Sequence, residues 1–143
     1  MSLYLDASVL LPTLVAEQAS AAVDEFPRSS ADDITVSDFA AAEVASALSR
    51  LVRTDRLAAT AAAARLADFD AWRAGATDIA DVNAHDCRLA NTYVRRFDLK
   101  LRAPDALHAA ICRRLGLILV TLDRRLANAA RELGLRVQVP TER

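Results

Sequence analysis

Lysine is nearly absent from this chain of 143 residues: Lys100 is the only one, and every other basic residue is arginine. Glycine (3), proline (4), cysteine (2) and the aromatic residues (5%) are also scarce. Each shortage excludes something. Two cysteines, Cys87 and Cys112, are too few for a disulfide framework and lack metal-ligand spacing, so they read as buried or semi-buried thiols in a reducing compartment. A membrane span needs about 20 consecutive apolar residues, and charges interrupt every apolar run here well before that, so no membrane association is expected. The N-terminal Met1-Ser2-Leu3-Tyr4-Leu5-Asp6 has no basic segment and meets a carboxylate before a signal-length apolar run forms. The expected location is cytoplasmic.

What is present favours one packed domain spanning 1–143. A hydrophobic fraction of 53% is far above that of chains that stay disordered, and the length falls in the single-domain range. Lys plus Arg (18) nearly balances Asp plus Glu (19), for a net charge of −1, so no global positive field draws in nucleic acid. The arginine bias fits either a GC-rich genome, as the abundant alanine does, or bidentate phosphate binding by guanidinium groups.

The punctuation alternates strands with helices. Leu3-Tyr4-Leu5 reads as a strand, with Ser8 as the N-cap of a helix from Val9 to Ala16. A polar stretch from Pro27 to Asp33 precedes a second strand, Ile34-Thr35-Val36, with Ser37 or Asp38 capping the next helix. Val44, Leu48, Leu51 and Val52 define the buried stripe of that helix. An alanine-rich helix is expected from Asp55 to Trp72, with Leu66, Phe69 and Trp72 on one side and Gly75 ending it. Thr77 to Val82 holds a short strand, and Asn83 caps a helix whose apolar face is Leu89, Ala90, Tyr93 and Phe97. Pro104 opens a helix that Gly116 stops. The continuous run Leu117-Ile118-Leu119-Val120 suits a parallel strand buried on both faces. Asp123 caps the last helix, with Leu126, Ala130 and Leu133 inward, and Val137 to Val139 is a final strand. Strands separated by helices imply an α/β fold, a mainly parallel sheet covered on both sides.

In such a sheet, ligands bind where strands end and helices begin. Asp6 ends the first strand, Asp123 follows the fourth with Thr121 just before it, Asp105 opens a helix, and Glu43 lies about one turn into the helix after the second strand. Asp105 and Asp123 also suit plain N-capping, worth roughly 0.3–2 kcal/mol, and Glu43 alone suits a solvated helix face. Asp6, directly after an apolar strand, is harder to explain by structure. Brought together, the four carboxylates need a cation, and oxygen ligands without His or Cys select Mg²⁺ or Mn²⁺. His108 shares a helix face with Asp105 and is expected to pack the helix or support the pocket. Ser8 and Thr121 place hydroxyls at the same edge, to cap the backbone or to bond a carboxylate. Asp86 suits a helix first turn, with a lesser claim on the pocket, and His85 has no assigned role.

The blocks Tyr4-Leu5-Asp6-Ala7-Ser8-Val9-Leu10, Ala42-Glu43-Val44-Ala45-Ser46-Ala47-Leu48, Leu101-Arg102-Ala103-Pro104-Asp105-Ala106-Leu107-His108 and Val120-Thr121-Leu122-Asp123-Arg124-Arg125-Leu126 resemble the signature segments of PIN-domain proteins, in particular the VapC-type toxins of toxin–antitoxin pairs. The resemblance covers essentially the whole chain. It implies a three-layer α/β/α sandwich and a Mg²⁺- or Mn²⁺-dependent endoribonuclease, held in check by a cognate VapB-type antitoxin and assembling as a homodimer. By position, Asp6, Glu43, Asp105 and Asp123 match the family's acidic quartet, while Ser8 and Thr121 match its supporting hydroxyls. Arg102, Arg124 and Arg125 lie beside the metal loop and are expected to hold RNA phosphates. The scarcity of glycine fits this picture, since it removes backbone phosphate cradles and leaves metal ions to handle phosphate.

Three alternatives bound this reading. An RNA-processing PIN nuclease outside a toxin–antitoxin pair would carry the same quartet. A catalytically silent RNA- or protein-binding module would share the fold, although the intact quartet disfavours it. A receiver-like phosphoacceptor also gathers aspartates at a sheet edge, but it needs a lysine after a late strand, and Lys100 instead precedes the helix of Asp105.

Overall fold

The computed structural model describes residues 1–15 and 33–140. Strands β1 (Ser2–Leu5), β2 (Asp33–Ser37), β3 (Asp78–Ala80), β4 (Ile118–Val120) and β5 (Val137–Gln138) form one sheet in the order β3-β2-β1-β4-β5. Every pairing is parallel. Around it lie helices α1 (Ala7–Leu10), α2 (Asp38–Arg53), α3 (Ala59–Ala76), α4 (Ala84–Val94), α5 (Ala103–Leu115) and α6 (Arg124–Glu132). This is the expected three-layer sandwich.

Alternation along the strands decides which helix covers which face. Leu3, Leu5, Val36 and Val120 point to one side and pack with Val44 of α2 and Phe69 of α3. Tyr4 and Leu119 point to the other, among the small side chains of α5 and the inner face of α6. Fully burying each such leucine or valine is worth about 1.5–3 kcal/mol, so a one-residue slip of β1, which would exchange the two faces, is strongly disfavoured.

Parallel strands all end on the same side. β2 and β3 lie to one side of β1, β4 and β5 to the other, so the chain reverses its direction of travel across the sheet between β1 and β4. The crevice at such a reversal point is where open α/β sheets bind ligands. Asp6 and Thr121 sit at its two lips.

Several sequence expectations shift. The first helix is short: Asp6, not Ser8, caps it through Val9 N–H, and Pro12 turns the chain into a 3₁₀ turn over Leu11–Thr13. The expected end of that helix at Ala16 and the polar stretch up to residue 32 lie outside the described residues. Leu51 and Val52 are only partly buried, because the stripe of α2 leaves the sheet there. Helix α3 starts at Ala59 rather than Asp55, which adopts φ 57° in the preceding turn. Gly75 lies inside α3, which runs on to Ala76 and ends at an extended Thr77. Helix α4 stops at Val94, so Phe97 falls in a 3₁₀ turn (Phe97–Leu99) with its ring 84% exposed instead of on the apolar face. Lys100 follows in the left-handed region at φ 57°, at a cost of roughly 1–2 kcal/mol for a residue bearing a Cβ. Cys112 is buried as expected, but Cys87 is exposed. Among the described residues no helix is long and apolar enough to cross a membrane.

Candidate active site

Asp6 is the anchor of the site. The sheet continues one residue past β1, with Asp6 N–H bonding Val120 O at 3.3 Å, and this holds the side chain over the crevice with 4% exposure. Oδ1 accepts from Ser8 Oγ at 2.6 Å and from Val9 N–H at 3.3 Å, and Oδ2 accepts from Thr121 Oγ1 at 2.6 Å. The two hydroxyls are themselves fixed: Ser8 Oγ accepts from Leu122 N–H (2.9 Å) and Thr121 Oγ1 from Asp123 N–H (3.0 Å). Ser8 and Thr121 thus bind a carboxylate, the second of their two expected roles. Burial raises the Asp6 pKa above the usual carboxylate value, and His108, Ser8, Thr121 and the Val9 amide offset this only in part.

Asp105 and Asp123 do cap helices. Asp123 Oδ1 accepts from Arg125 and Leu126 N–H at 3.0 and 3.2 Å, and Asp105 Oδ2 accepts from Arg102 N–H at 3.4 Å. Each uses one oxygen, leaving the second outside the cap. Capping does not exhaust their role, because the Asp105 pKa is raised by burial and then by the negative charge of Asp123. Two carboxylates that repel one another across a crevice mark a site short of positive charge.

Glu43 enters from the opposite lip. It is half-buried on α2 and bonds His108 Nε2 through Oε1 at 2.5 Å. A carboxylate only accepts, so Nε2–H donates, and in the neutral imidazole Nδ1 then accepts from Tyr4 O–H, 2.6 Å away. Ser37 O–H completes the chain by donating to Tyr4 Oη at 2.8 Å, while Ser37 Oγ accepts from Ala40 N–H to cap α2. The ring of His108 packs between Tyr4 and Phe39, with centroids 5.6 and 5.1 Å away. His108 therefore packs the helix and also orients Glu43. Tyr4 and Ser37 were not singled out from sequence. The available signal was strand parity, which puts Tyr4 on the face opposite Leu3 and Leu5, hence towards α5.

The structure brings Asp6, Ser8, Thr121 and the backbone amide of Asp123 into one hydrogen-bonded group, places Asp105 where it feels the charge of Asp123, and ties Glu43 to His108. Asp86 is not part of it. That carboxylate is fully buried at the start of α4, paired with Arg114 at 2.8 and 2.9 Å, and forms a reciprocal cap with Asn83. Burial would raise its pKa, yet Arg114 and the Asn83 amide prevail and hold it below the usual range. Arg102, Arg124 and Arg125 are exposed at the rim, next to the two aspartate caps.

A family model describing the PIN domain matches residues 3–132. The chain belongs to the PIN domain family. No curated protein matches the sequence. Solved structures share the PIN fold at low identity. VapC20 of Mycobacterium tuberculosis, described as a Sarcin-Ricin loop cleaving toxin, is 19% identical with a TM-score of 0.71, over 89% of this chain and 94% of that one. The DNA-bound VapBC of Salmonella typhimurium is 15% identical with a TM-score of 0.72, over 98% of both chains. VapBC-1 of nontypeable Haemophilus influenzae is 12% identical with a TM-score of 0.71, over 99% of this chain and 100% of that one.

The PIN site's donor set suits a hard divalent cation. It consists of carboxylate oxygens supported by hydroxyls; burial raises the pKa of Asp6, and burial together with the negative charge of Asp123 raises that of Asp105. Among the described residues, however, no three of the His, Cys, Asp and Glu side chains close into a metal-holding group. The residues fit the ion by chemistry and location, with a coordination shell that is not preformed.

Proposed function

We propose that this PIN domain, spanning 1–143, is a Mg²⁺-dependent endoribonuclease, with Mn²⁺ as a substitute, and the toxin of a VapBC-type pair. The observation that carries the proposal is Asp6: a carboxylate with 4% exposure, oriented by two hydroxyls, at the reversal point of the sheet and, among the described residues, without a cationic side chain bonded to it. Burying a charge in this way is costly, and a structural cap alone would not require it.

Asp6, Asp105 and Asp123 would hold the ion, with Glu43 joining directly or through water. When bound, the ion supplies an activated water and stabilises charge on the phosphoryl oxygens and the leaving oxygen. The protein's own part is positioning. Ser8 and Thr121 fix both oxygens of Asp6, and the Ser37–Tyr4–His108 chain fixes Glu43, which can orient the attacking water or take its proton. Arg102, Arg124 and Arg125 hold RNA phosphates on either side of the scissile bond. The VapBC structures from Salmonella and Haemophilus support a VapB-type antitoxin as partner; a homodimer as the working assembly and the cytoplasm as its location rest on the resemblance to VapC-type toxins alone.

The test is cleavage of total RNA by the purified protein in Mg²⁺ or Mn²⁺, compared with EDTA and with Asp6→Ala and Asp105→Ala. Cleavage should fall at least a hundredfold in all three controls. Equal activity in every sample would refute the metal-dependent reading, and RNA binding without cleavage would favour a silent module. For the toxin role, expression should arrest growth and co-expression of a neighbouring antitoxin gene should relieve it.

A further inference from the structure

Beside the acidic crevice lies a second cleft of about 360 Å³, lined by Asp98, Leu99, Lys100, Arg125, Asn128, Ala129 and Glu132. Its size matches a single small ligand. Both walls lead into the acidic site. One is the turn Phe97–Leu99 with Lys100, two residues before Arg102, whose amide bonds Asp105. The other is α6, whose first turn hangs from Asp123 through the Arg125 amide. A strand of RNA with its scissile phosphate among the carboxylates would therefore pass over this cleft.

The side chains suit that occupant. Lys100 and Arg125 face the cleft, and among the described residues neither has a side-chain hydrogen bond or ion pair. Of the two acids that line it, Asp98 is engaged by Arg96 at 3.0 Å, and Glu132 lies about two helical turns along α6 from Arg125. The cationic end is thus the end next to Asp123. Lys100, the chain's only lysine, is held there in a left-handed conformation, a strain that tends to persist where geometry serves a ligand. Phe97, on the same turn, leaves its ring 84% exposed, although an aromatic ring in water forgoes its burial energy. Cations that hold phosphate beside an aromatic platform that stacks a base form the usual combination for single-stranded nucleic acid.

We propose that this cleft is a substrate subsite for one unpaired ribonucleotide next to the cleaved bond, with its phosphate between Lys100 and Arg125, its base edge at the amide of Asn128, and the adjoining base stacked on Phe97. The proposal rests on the ribonuclease reading and narrows it, because a base can reach Phe97 only where the RNA is unpaired. Duplex RNA is excluded from the subsite.

The test uses the full chain in EDTA, which withholds the ion that cleavage requires, and a mixed-sequence single-stranded RNA 12-mer, compared with the duplex of the same sequence. The single strand should bind more tightly than the duplex. Lys100→Asn, which tolerates the left-handed backbone, and Arg125→Gln should each weaken binding several-fold and lower the slope of log affinity against log salt by about 0.7. Phe97→Ala should weaken binding about tenfold with the slope unchanged, and Phe97→Trp should restore it. Thermal unfolding of each variant confirms folding. Wild-type affinity and slope in all of the variants, with total RNA still cleaved by the parent protein, would overturn the subsite while leaving the ribonuclease reading intact. A parent protein that neither binds nor cuts RNA would overturn both. If Phe97→Ala leaves RNA affinity unchanged and instead disrupts self-association or antitoxin binding, the patch is a protein interface and the proposal fails.

Discussion

Replacing Asp6 by Asn separates what this residue does for stability from what it does for function. Asp6 is 4% exposed and receives three hydrogen bonds, from Ser8, Val9 and Thr121. Asn has the same shape and keeps an oxygen for the Val9 amide. Its NH₂ would face a hydroxyl, and both Ser8 and Thr121 can rotate to accept. The change removes a buried charge at little cost in hydrogen bonds, so in EDTA at pH 7.5 Asp6→Asn should be more stable by about 1 kcal/mol, the usual scale for relieving a functional site. For a domain of this size that raises Tm by about 3 °C. Adding Mg²⁺ at tenfold its Kd should stabilise the parent protein by about 1.4 kcal/mol, or ~4 °C, and the variant much less, so the order of the two melting temperatures reverses. The pH dependence follows the raised pKa values of Asp6 and Asp105. A carboxyl whose folded pKa is raised binds protons more tightly when folded, so in EDTA the parent's stability declines as pH rises from about 4, the unfolded value, through the raised folded value. The variant's profile should be flatter. Differential scanning fluorimetry in EDTA and in Mg²⁺ across pH measures all of this. If Asp6→Asn melts below the parent in EDTA, or gains as much from Mg²⁺, Asp6 is a structural cap and the reasoning is wrong.

Two further substitutions probe the supports around the site. Arg114→Met strips the bidentate partner from the fully buried Asp86 and should cost about 3 kcal/mol in urea unfolding at pH 7. Because the Asp86 pKa is held low in the folded state, this stabilisation is present above about pH 4 and fades as pH falls through the lowered value; parent and variant should therefore converge in acid. Metal-dependent cleavage should survive at temperatures where the variant stays folded, and its loss there would place Asp86 in the active site after all. His108→Ala removes the link between Tyr4 and Glu43 and opens a cavity, costing roughly 2–4 kcal/mol, whereas His108→Gln, long enough to bridge, should lose less. Equal urea midpoints for both variants and the parent would contradict the role given to His108.

Much of the framework was legible because its signals are local. Asn83 and Asp123 cap the helices they were expected to cap, and of the two candidates Ser37 and Asp38 it is Ser37 that caps α2, since a cap depends on residues within one turn. Gly116, at φ 67°, ends α5 for the same reason. Boundaries were misread where a local signal lost to packing. Gly75 is tolerated inside α3 because the helix is anchored by Phe69 and its neighbours, and Phe97 left the apolar face because α4 ends one turn early and the chain must turn towards α5. Ser8 resembled a cap only until the sheet carried Asp6 one step further.

The four acids were visible as residue types at strand and helix ends, but their chemistry was not. In sequence, Asp86 and Asp105 both read as acids in a helix's first turn, Asp86 with the lesser claim on the pocket. Only the fold pairs Asp86 with Arg114 and sets Asp105 against Asp123. Likewise, the charge sum of −1 conceals both an acidic crevice and a neighbouring cleft with Lys100 and Arg125 in its lining. The sequence by itself determined the order of elements, the faces they bury and the candidate acids, since periodicity and capping act over a few residues. The tertiary structure alone decided which carboxylates lack a positive partner among the described residues, because the energy of a charge depends on burial and on groups brought near it from across the chain, as Thr121 is to Asp6 and His108 to Glu43.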